Sequence, residues 1–572
     1  MSQSAVLFVT SLFFVVGHSR RYTMADTNAH HLALLADDFL QHYFDFYPSH
    51  ARLLGLHEYD GRMTDLSPQS VEHWVYTLHH YQEWLAKIDP THLGRLEWFD
   101  YQLLRWQINA EWWQWTTLRD HERNPIFYVD ETIDDYVKRD YAPLEERAQS
   151  LAAYLGHIPR HMDAARIHLS RGAVPRILIE ESIPIYEGMI TFLTTSLDEA
   201  FGKSSLPPAI IGKLWRARDA ATTAIRDFLA FLQHDLLPNA QESFAIGTEH
   251  FLNMLRYNEL INLSLDELLA LGERDLANNQ AAIARVAAQI DPSLSVQEHM
   301  KRLGSNHPPQ ELLLSSTRSL LNDLKDFVKS RDLVTMNGNV VCRVEETPPF
   351  ARWAFAMMDT AGPFEQVATD SFYYVTLPDP NWSPEEVQGW LTKFDTATLT
   401  SVSVHEAFPG HFVHFNNTRN APTHLAKVFR SYSHFESWAH YVEQMMLEEG
   451  YGRGDLRLQM AQLSEALVRN CRFVCGIKMH TQGMTLQEAT RFFMENGYMD
   501  EVTARNEARR GTHDTGYINY TLGKILLLQL REEYKQAQGD NFSLKTFHDK
   551  YIGYGSPPIP LLREMLVPTR SC

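Results

Sequence analysis

Cysteine is scarce in this chain. Four thiols in 572 residues, Cys342, Cys471, Cys475 and Cys572, exclude a disulfide-stapled secreted module. Only Cys471 and Cys475 are close in sequence, and their plainest reading is two small hydrophobes on one buried helix face. Basic residues are in deficit too: 52 Lys and Arg against 71 Asp and Glu leave a net charge of −19, and no Lys/Arg run offsets it. A nucleic-acid backbone is therefore not an expected partner. Long apolar runs are also missing. The run over 5–17 is too short to span a bilayer, so no stable membrane span is expected. It has the length of a signal-peptide core, yet Met1–Ser4 carry no positive side chain, Arg20 and Arg21 follow it, and Met24 stands just before a helix start. Residues 1–25 thus read as an N-terminal apolar segment. A start at Met24 in a cytoplasmic protein is favoured; a signal for an exported or membrane-anchored protein is the alternative.

What the chain does have is helical periodicity. Hydrophobic residues make up 44% of it, enough to bury a deep site. The segments 29–46, 71–88, 96–118, 144–168, 211–232 and 266–289 space apolar residues at three and four. Ser264 with Glu267 is a capping box opening the last of these. Strand-like stretches are confined to 339–343 and 371–377, the latter rich in aromatic and β-branched residues and able to bind an extended peptide if its edge is open. Trp98, Trp106, Trp112, Trp113 and Trp115 read as core, with an aromatic substrate groove as the alternative. The expected fold class is mainly α: one large helical catalytic body over 26–572 with a cleft, a small β element near 339–377 and a motif core at 400–450.

The chemistry concentrates in two segments. In 401-SVSVHEAFPGHFVHF-415, His405, Glu406 and His411 fall within seven residues. Two imidazoles and a carboxylate can hold zinc, but an HExxH helix places its histidines four apart, on one face. Here the spacing is six, about 240° around a regular helix. Pro409 and Gly410 can distort the turn, so the segment is either a bulged zinc helix or no zinc helix. In 432-YSHFESWAHYVEQMMLEEG-450, Glu436, His440 and Glu443 share one helical face among Phe435, Trp438 and Tyr441. Acids set among aromatics point to a site rather than to a solvated surface.

These segments resemble the HExxPGHxxQ and EGWAxYxE motifs of a large, mostly bacterial family of unknown function that is similar to the glutamate-type zinc peptidases (gluzincins). The resemblance extends through 47-YPSHARLLGLHEYDGRMTDLSP-68, 372-FYYVTLPD-379 and 520-YTLGKILLLQLRE-532. It implies zinc held by His405, His411 and Glu436, with Glu406 activating water. Glu443 would orient a histidine from behind. The chain departs from the pattern at His414, Ser437 and His440, so His440 competes as a ligand or a substrate-steering group.

Tyr520 is the expected oxyanion donor, with Tyr517 nearby, and Arg509 a weaker choice for a terminal carboxylate. The segment 55–61 reads as a turn, with substrate contact as the alternative. The expected activity is zinc-dependent hydrolysis of a peptide or small amide. The alternatives are a metal-free or inactive binding protein of the same fold and a non-peptide amide or ester hydrolase.

Overall fold

The computed structural model describes residues 24–567 except 131, 203, 339, 348–351, 353 and 354. The apolar run 5–17 and Asn339 lie outside the described residues. Helices dominate, and several begin where the sequence supplies a cap. Ser264 accepts from the Glu267 amide while Glu267 returns the bond, opening Leu265–Ile290. Ser383 with Glu386 and Thr485 with Glu488 do the same for Pro384–Leu391 and Leu486–Asn496. The single helix expected over 144–168 is two, Leu144–Leu155 and Ile158–Leu169. Pro159 has no amide to donate, so it sits in a first turn, where no donor is needed.

Three strands form one small sheet: β1 (Cys342–Glu346), β2 (Ala356–Asp359) and β3 (Ser371–Val375). Their order is β1-β3-β2, with β1 parallel and β2 antiparallel to β3. β3 is therefore the central strand and has no open edge for a peptide, contrary to the reading of 371–377 as a docking edge. Its aromatic richness suits a strand with Tyr373 and Val375 fully buried.

The segments that carry the chemistry lie between two cores. One is built from helices of the first 232 residues and takes in Leu425, Val428 and Phe429, just ahead of the second motif. The other joins Tyr373 of β3 to Val404, Phe412, Trp438 and Tyr441 of the motif segments and to Leu527 and Tyr551 near the C-terminus. Trp106, Trp113 and Trp115 are buried, so the Trp-rich helix Arg95–Trp113 and the π turn Gln114–Leu118 are mainly core. Cys471 and Cys475 are free thiols buried on the long helix Leu456–Thr481, as expected of small hydrophobes.

Candidate metal centre

The first motif resolves the i+6 problem by breaking its helix. Asp395 caps Thr396–Glu406 by accepting from the amides of Ala397 and Thr398, each at 3.0 Å. The helix ends one residue after His405, the chain reverses over Ala407–Gly410, and a new helix, His411–Thr418, begins on His411. There is no bulged continuous helix. Gly410 makes the reversal possible: its amide donates to the Val404 carbonyl at 3.0 Å, and a Cβ at this position would lie 1.7 Å from the His405 carbonyl oxygen. The two imidazoles meet at right angles, with ring centroids 4.8 Å apart.

The second motif forms Tyr432–Glu448, almost wholly buried. Trp438 ties it to the reversal by donating its indole N–H to the Pro409 carbonyl at 2.9 Å. Ser437, where the resembled pattern has glycine, bonds the His434 carbonyl at 2.7 Å and lies 2.8 Å from the Tyr551 hydroxyl. This anchoring brings Glu436 Oε2 to 3.5 Å from Nε2 of both His405 and His411. Ligands about 2.0–2.2 Å from a tetrahedral zinc stand about 3.3–3.5 Å from one another. Glu436 Oε2 is buried and accepts no hydrogen bond from the described residues, as a ligand oxygen would be. The residues present fit a zinc ion.

Behind the triad, Glu443 Oε1 accepts from His405 Nδ1 at 2.7 Å, which turns Nε2 toward Glu436 and His411. Arg469 reaches the same oxygen at 3.1 Å from the neighbouring helix. Burial alone would raise the Glu443 carboxyl, but Arg469 and His405 hold it well below the usual range. Burial opposes a charge on His405 as well, and the flanking Glu436 and Glu443 nevertheless keep it protonated up to about 9. A metal ion would replace that proton. His411 has no such partner on Nδ1; its ring stacks on Phe415 at 5.3 Å.

The other expected residues divide. Glu406 is half-buried at the helix end beside His405. Tyr520 feels the Glu436 charge: burial and then that carboxylate push its phenol up. Its hydroxyl is 3.5 Å from those of Tyr432 and from Arg510, and Arg472 stacks on its ring at 5.2 Å. Arg509 points elsewhere, paired with Glu181; the cation that approaches the Tyr520 hydroxyl is its neighbour Arg510, one helical step of about 100° away. Tyr517 is fully buried core with an unbonded hydroxyl, not a site residue. His440 is buried 3.6 Å from Glu443, outside the triad, and is pushed well below its ordinary value by burial and then by Lys524. His414 bonds the Gly555 carbonyl at 3.1 Å, a structural role. Residues 55–61 form a turn whose His57 pairs with Glu365 at 2.7 Å. Arg469 was invisible in sequence, since a lone helical arginine reads as solvated.

Among the described residues one other group, His121, Glu122 and His168, brings three such donors within 4.8 Å. There Glu122 is paired with Arg119, and His168 Nε2 is bonded to the Leu66 carbonyl at 2.8 Å.

No curated protein matches the chain. Two solved structures share its fold. One is described as "a putative lipoprotein of unknown function from Shewanella oneidensis" and is 24% identical, with a TM-score of 0.78 over 93% of this chain and 99% of that one. The other, "the putative lipoprotein from Colwellia psychrerythraea", is 16% identical, with a TM-score of 0.80 over 95% of this chain and 98% of that one. Among the described residues no helix is long and apolar enough to cross a membrane. Residues 48–566 match the family described as "Bacterial protein of unknown function (DUF885)", and the chain belongs to that family.

Proposed function

We propose that the protein is a zinc-dependent hydrolase of peptide or related amide bonds, akin in its ligand plan to the glutamate-type zinc peptidases. One observation carries this reading: a buried carboxylate oxygen without a hydrogen bond, 3.5 Å from the Nε2 atoms of two histidines, one of them oriented by a second carboxylate. Zinc bound there would supply Lewis acidity toward the water and the scissile carbonyl. His405, His411 and Glu436 are the proposed ligands. Glu406 takes the proton of the attacking water and returns it to the leaving amine. Tyr520 donates to the developing oxyanion, and Arg510 beside it favours that charge. Glu443 and Arg469 keep His405 in the tautomer that presents Nε2.

The metal-free reading has one point in its favour, the protonated His405 between two carboxylates. Metal analysis of purified protein separates the two. About one zinc per chain is expected, with hydrolysis of a peptide library abolished by a chelator and restored by zinc. Glu406→Gln should keep the metal and lose about 10²–10⁴-fold in turnover. Metal-free wild type, or undiminished turnover in that variant, overturns the proposal.

Export fits better than the cytoplasm. Both structural neighbours are described as putative lipoproteins, and the 5–17 run is the segment that would direct secretion. Recovery of the full-length protein only in the cytosolic fraction of cells would overturn this.

A further inference from the structure

A cavity of about 430 Å³ opens beside the start of the second motif helix. Tyr432 forms part of its wall, and the Tyr432 hydroxyl is the one that approaches Tyr520. Apolar side chains such as Trp106, Ile246 and Met254 share its wall with polar ones such as Gln107, Asn258 and Asn519. One lining cation is unusual. Arg430 is held by its backbone against Ser556, its buried Nε has no hydrogen-bond partner, and no carboxylate among the described residues forms an ion pair with it. Its guanidinium instead stacks over Phe415 at 4.8 Å.

The surroundings of Arg430 are short of negative charge. His50 and His414 feel it, and both are pushed down, first by burial and then in part by this cation, so each stays neutral. Burial without a counter-charge lowers Arg430 itself to about 10. The acids of the cavity are already engaged. Glu111 accepts from Tyr47 at 2.6 Å and from Gln107 at 3.1 Å; Glu259 accepts from the Ser433 hydroxyl at 2.6 Å. Asp120 accepts from Asn124 at 3.0 Å. The other guanidinium in the wall, Arg123, donates to the Phe244 carbonyl at 2.8 Å. An uncompensated guanidinium in a cavity whose acids are already bonded is a receptor for an anion brought by the ligand.

Its distance from the reacting centre selects that anion. Phe415 is stacked on His411 with centroids 5.3 Å apart, and Arg430 lies 4.8 Å from the same ring, so the guanidinium is within about 10 Å of the His411 imidazole. An extended chain advances about 3.3–3.6 Å per residue. One or two residues beyond the cleaved bond therefore bring a chain-terminal carboxylate to Arg430.

We infer that Arg430 binds the C-terminal carboxylate of the substrate and that the protein removes one or two residues from the free C-terminus of short peptides. This rests on the hydrolase reading above. The reaction is hydrolysis: the amide C–N bond breaks, water adds hydroxyl to the carbonyl carbon, and its proton leaves on the new amine by way of Glu406.

The test compares two N-acetylated tetrapeptide libraries, identical except that one ends in free carboxylates and the other in carboxamides, with the zinc-loaded full-length protein. Cleavage at the last or penultimate bond should favour the acids by about 10–100-fold in kcat/KM, mostly through KM. Arg430→Gln should bring the acid-to-amide ratio to about one, and Arg430→Lys should retain part of it. Equal cleavage of both libraries by the wild type overturns the inference, even if Arg430→Gln fails to fold. So does a folded Arg430→Gln protein that keeps the ratio. A calorimetric titration of N-acetyl-Phe-Leu and its amide into Glu406→Gln protein reads binding without turnover. Arg430-dependent preference for the acid, with neither library cleaved by the wild type, would uphold the anion receptor and overturn the peptidase reading.

Discussion

Among the described residues, two places assemble two histidines and a glutamate with donor atoms within 4.8 Å of one another, and they are not alike. At His405, His411 and Glu436 the glutamate oxygen is unbonded, and a second carboxylate, Glu443, backs His405. At His121, Glu122 and His168 the glutamate is neutralised by Arg119, and His168 is backed by the Leu66 carbonyl rather than by a carboxylate. The charge states diverge accordingly. Carboxylates on both sides hold His405 protonated up to about 9, whereas burial, aided by His168, pushes His121 down to about 4. Proximity of ligand types is thus a weak criterion. What distinguishes a metal centre is whether the donors are still free and whether an outer shell balances the charge.

The largest test of this contrast removes one imidazole from each place. His405→Ala should weaken zinc binding by about 10³-fold or more, read by competition with a chromophoric chelator. His121→Ala should leave zinc affinity within about threefold of wild type, and equal losses would erase the distinction. Next come two glycines that each press against one group. A Cβ on Gly410 would lie 1.7 Å from the His405 carbonyl oxygen, and one on Gly172 would lie 1.8 Å from that of Glu122. Both alanine variants should lose about 3 kcal/mol or more in urea unfolding of the chelator-treated protein. Only Gly410→Ala should also lower zinc affinity; a parallel fall in Gly172→Ala would contradict the assignment.

Glu443→Gln should weaken zinc about 10–100-fold while leaving the fold intact by circular dichroism, because the amide cannot match the carboxylate's hold on His405 Nδ1. Unaltered affinity would reduce Glu443 to a packing residue. The smallest effect lies at the second triad. His121 has a folded-state value of about 4 against 6.5 when unfolded, so the unfolded chain binds the proton first. Its contribution is complete above about pH 6.5 and is lost as pH falls toward 4, amounting to about 1–2 kcal/mol between pH 7 and 5. His121→Gln should flatten that part of the stability profile, and an unchanged slope would mean that His121 is not buried in neutral form.

Much of the fold could be read along the chain because helix periodicity and caps are local. Ser264 and Glu267 open a helix in the sequence and in the structure for the same reason, two reciprocal hydrogen bonds three residues apart. The motif acids were legible too, since Glu436 and Glu443 stand among aromatics on one helical face. Other features escaped because they depend on direction. Adjacent helical residues diverge by about 100°, so Arg509 and Arg510 look interchangeable in sequence, yet one pairs with Glu181 and the other approaches Tyr520. β3 read as a possible docking edge because alternation says nothing about which strands flank it, and β1 and β2 occupy both sides.

By itself, then, the sequence determined the helical class, the scarcity of thiols, the acidic balance and the residue types of the proposed metal site, all of which follow from composition and short-range spacing. Tertiary structure decided how a six-residue histidine spacing closes onto one point. It also decided which acid faces the two imidazoles and which one backs His405, and that Arg430 stands in the cavity wall without a counter-charge among the described residues. The physical reason is that these outcomes turn on close approach between segments distant in the chain, Trp438 to Pro409 and Arg469 to Glu443 among them, which local spacing does not encode.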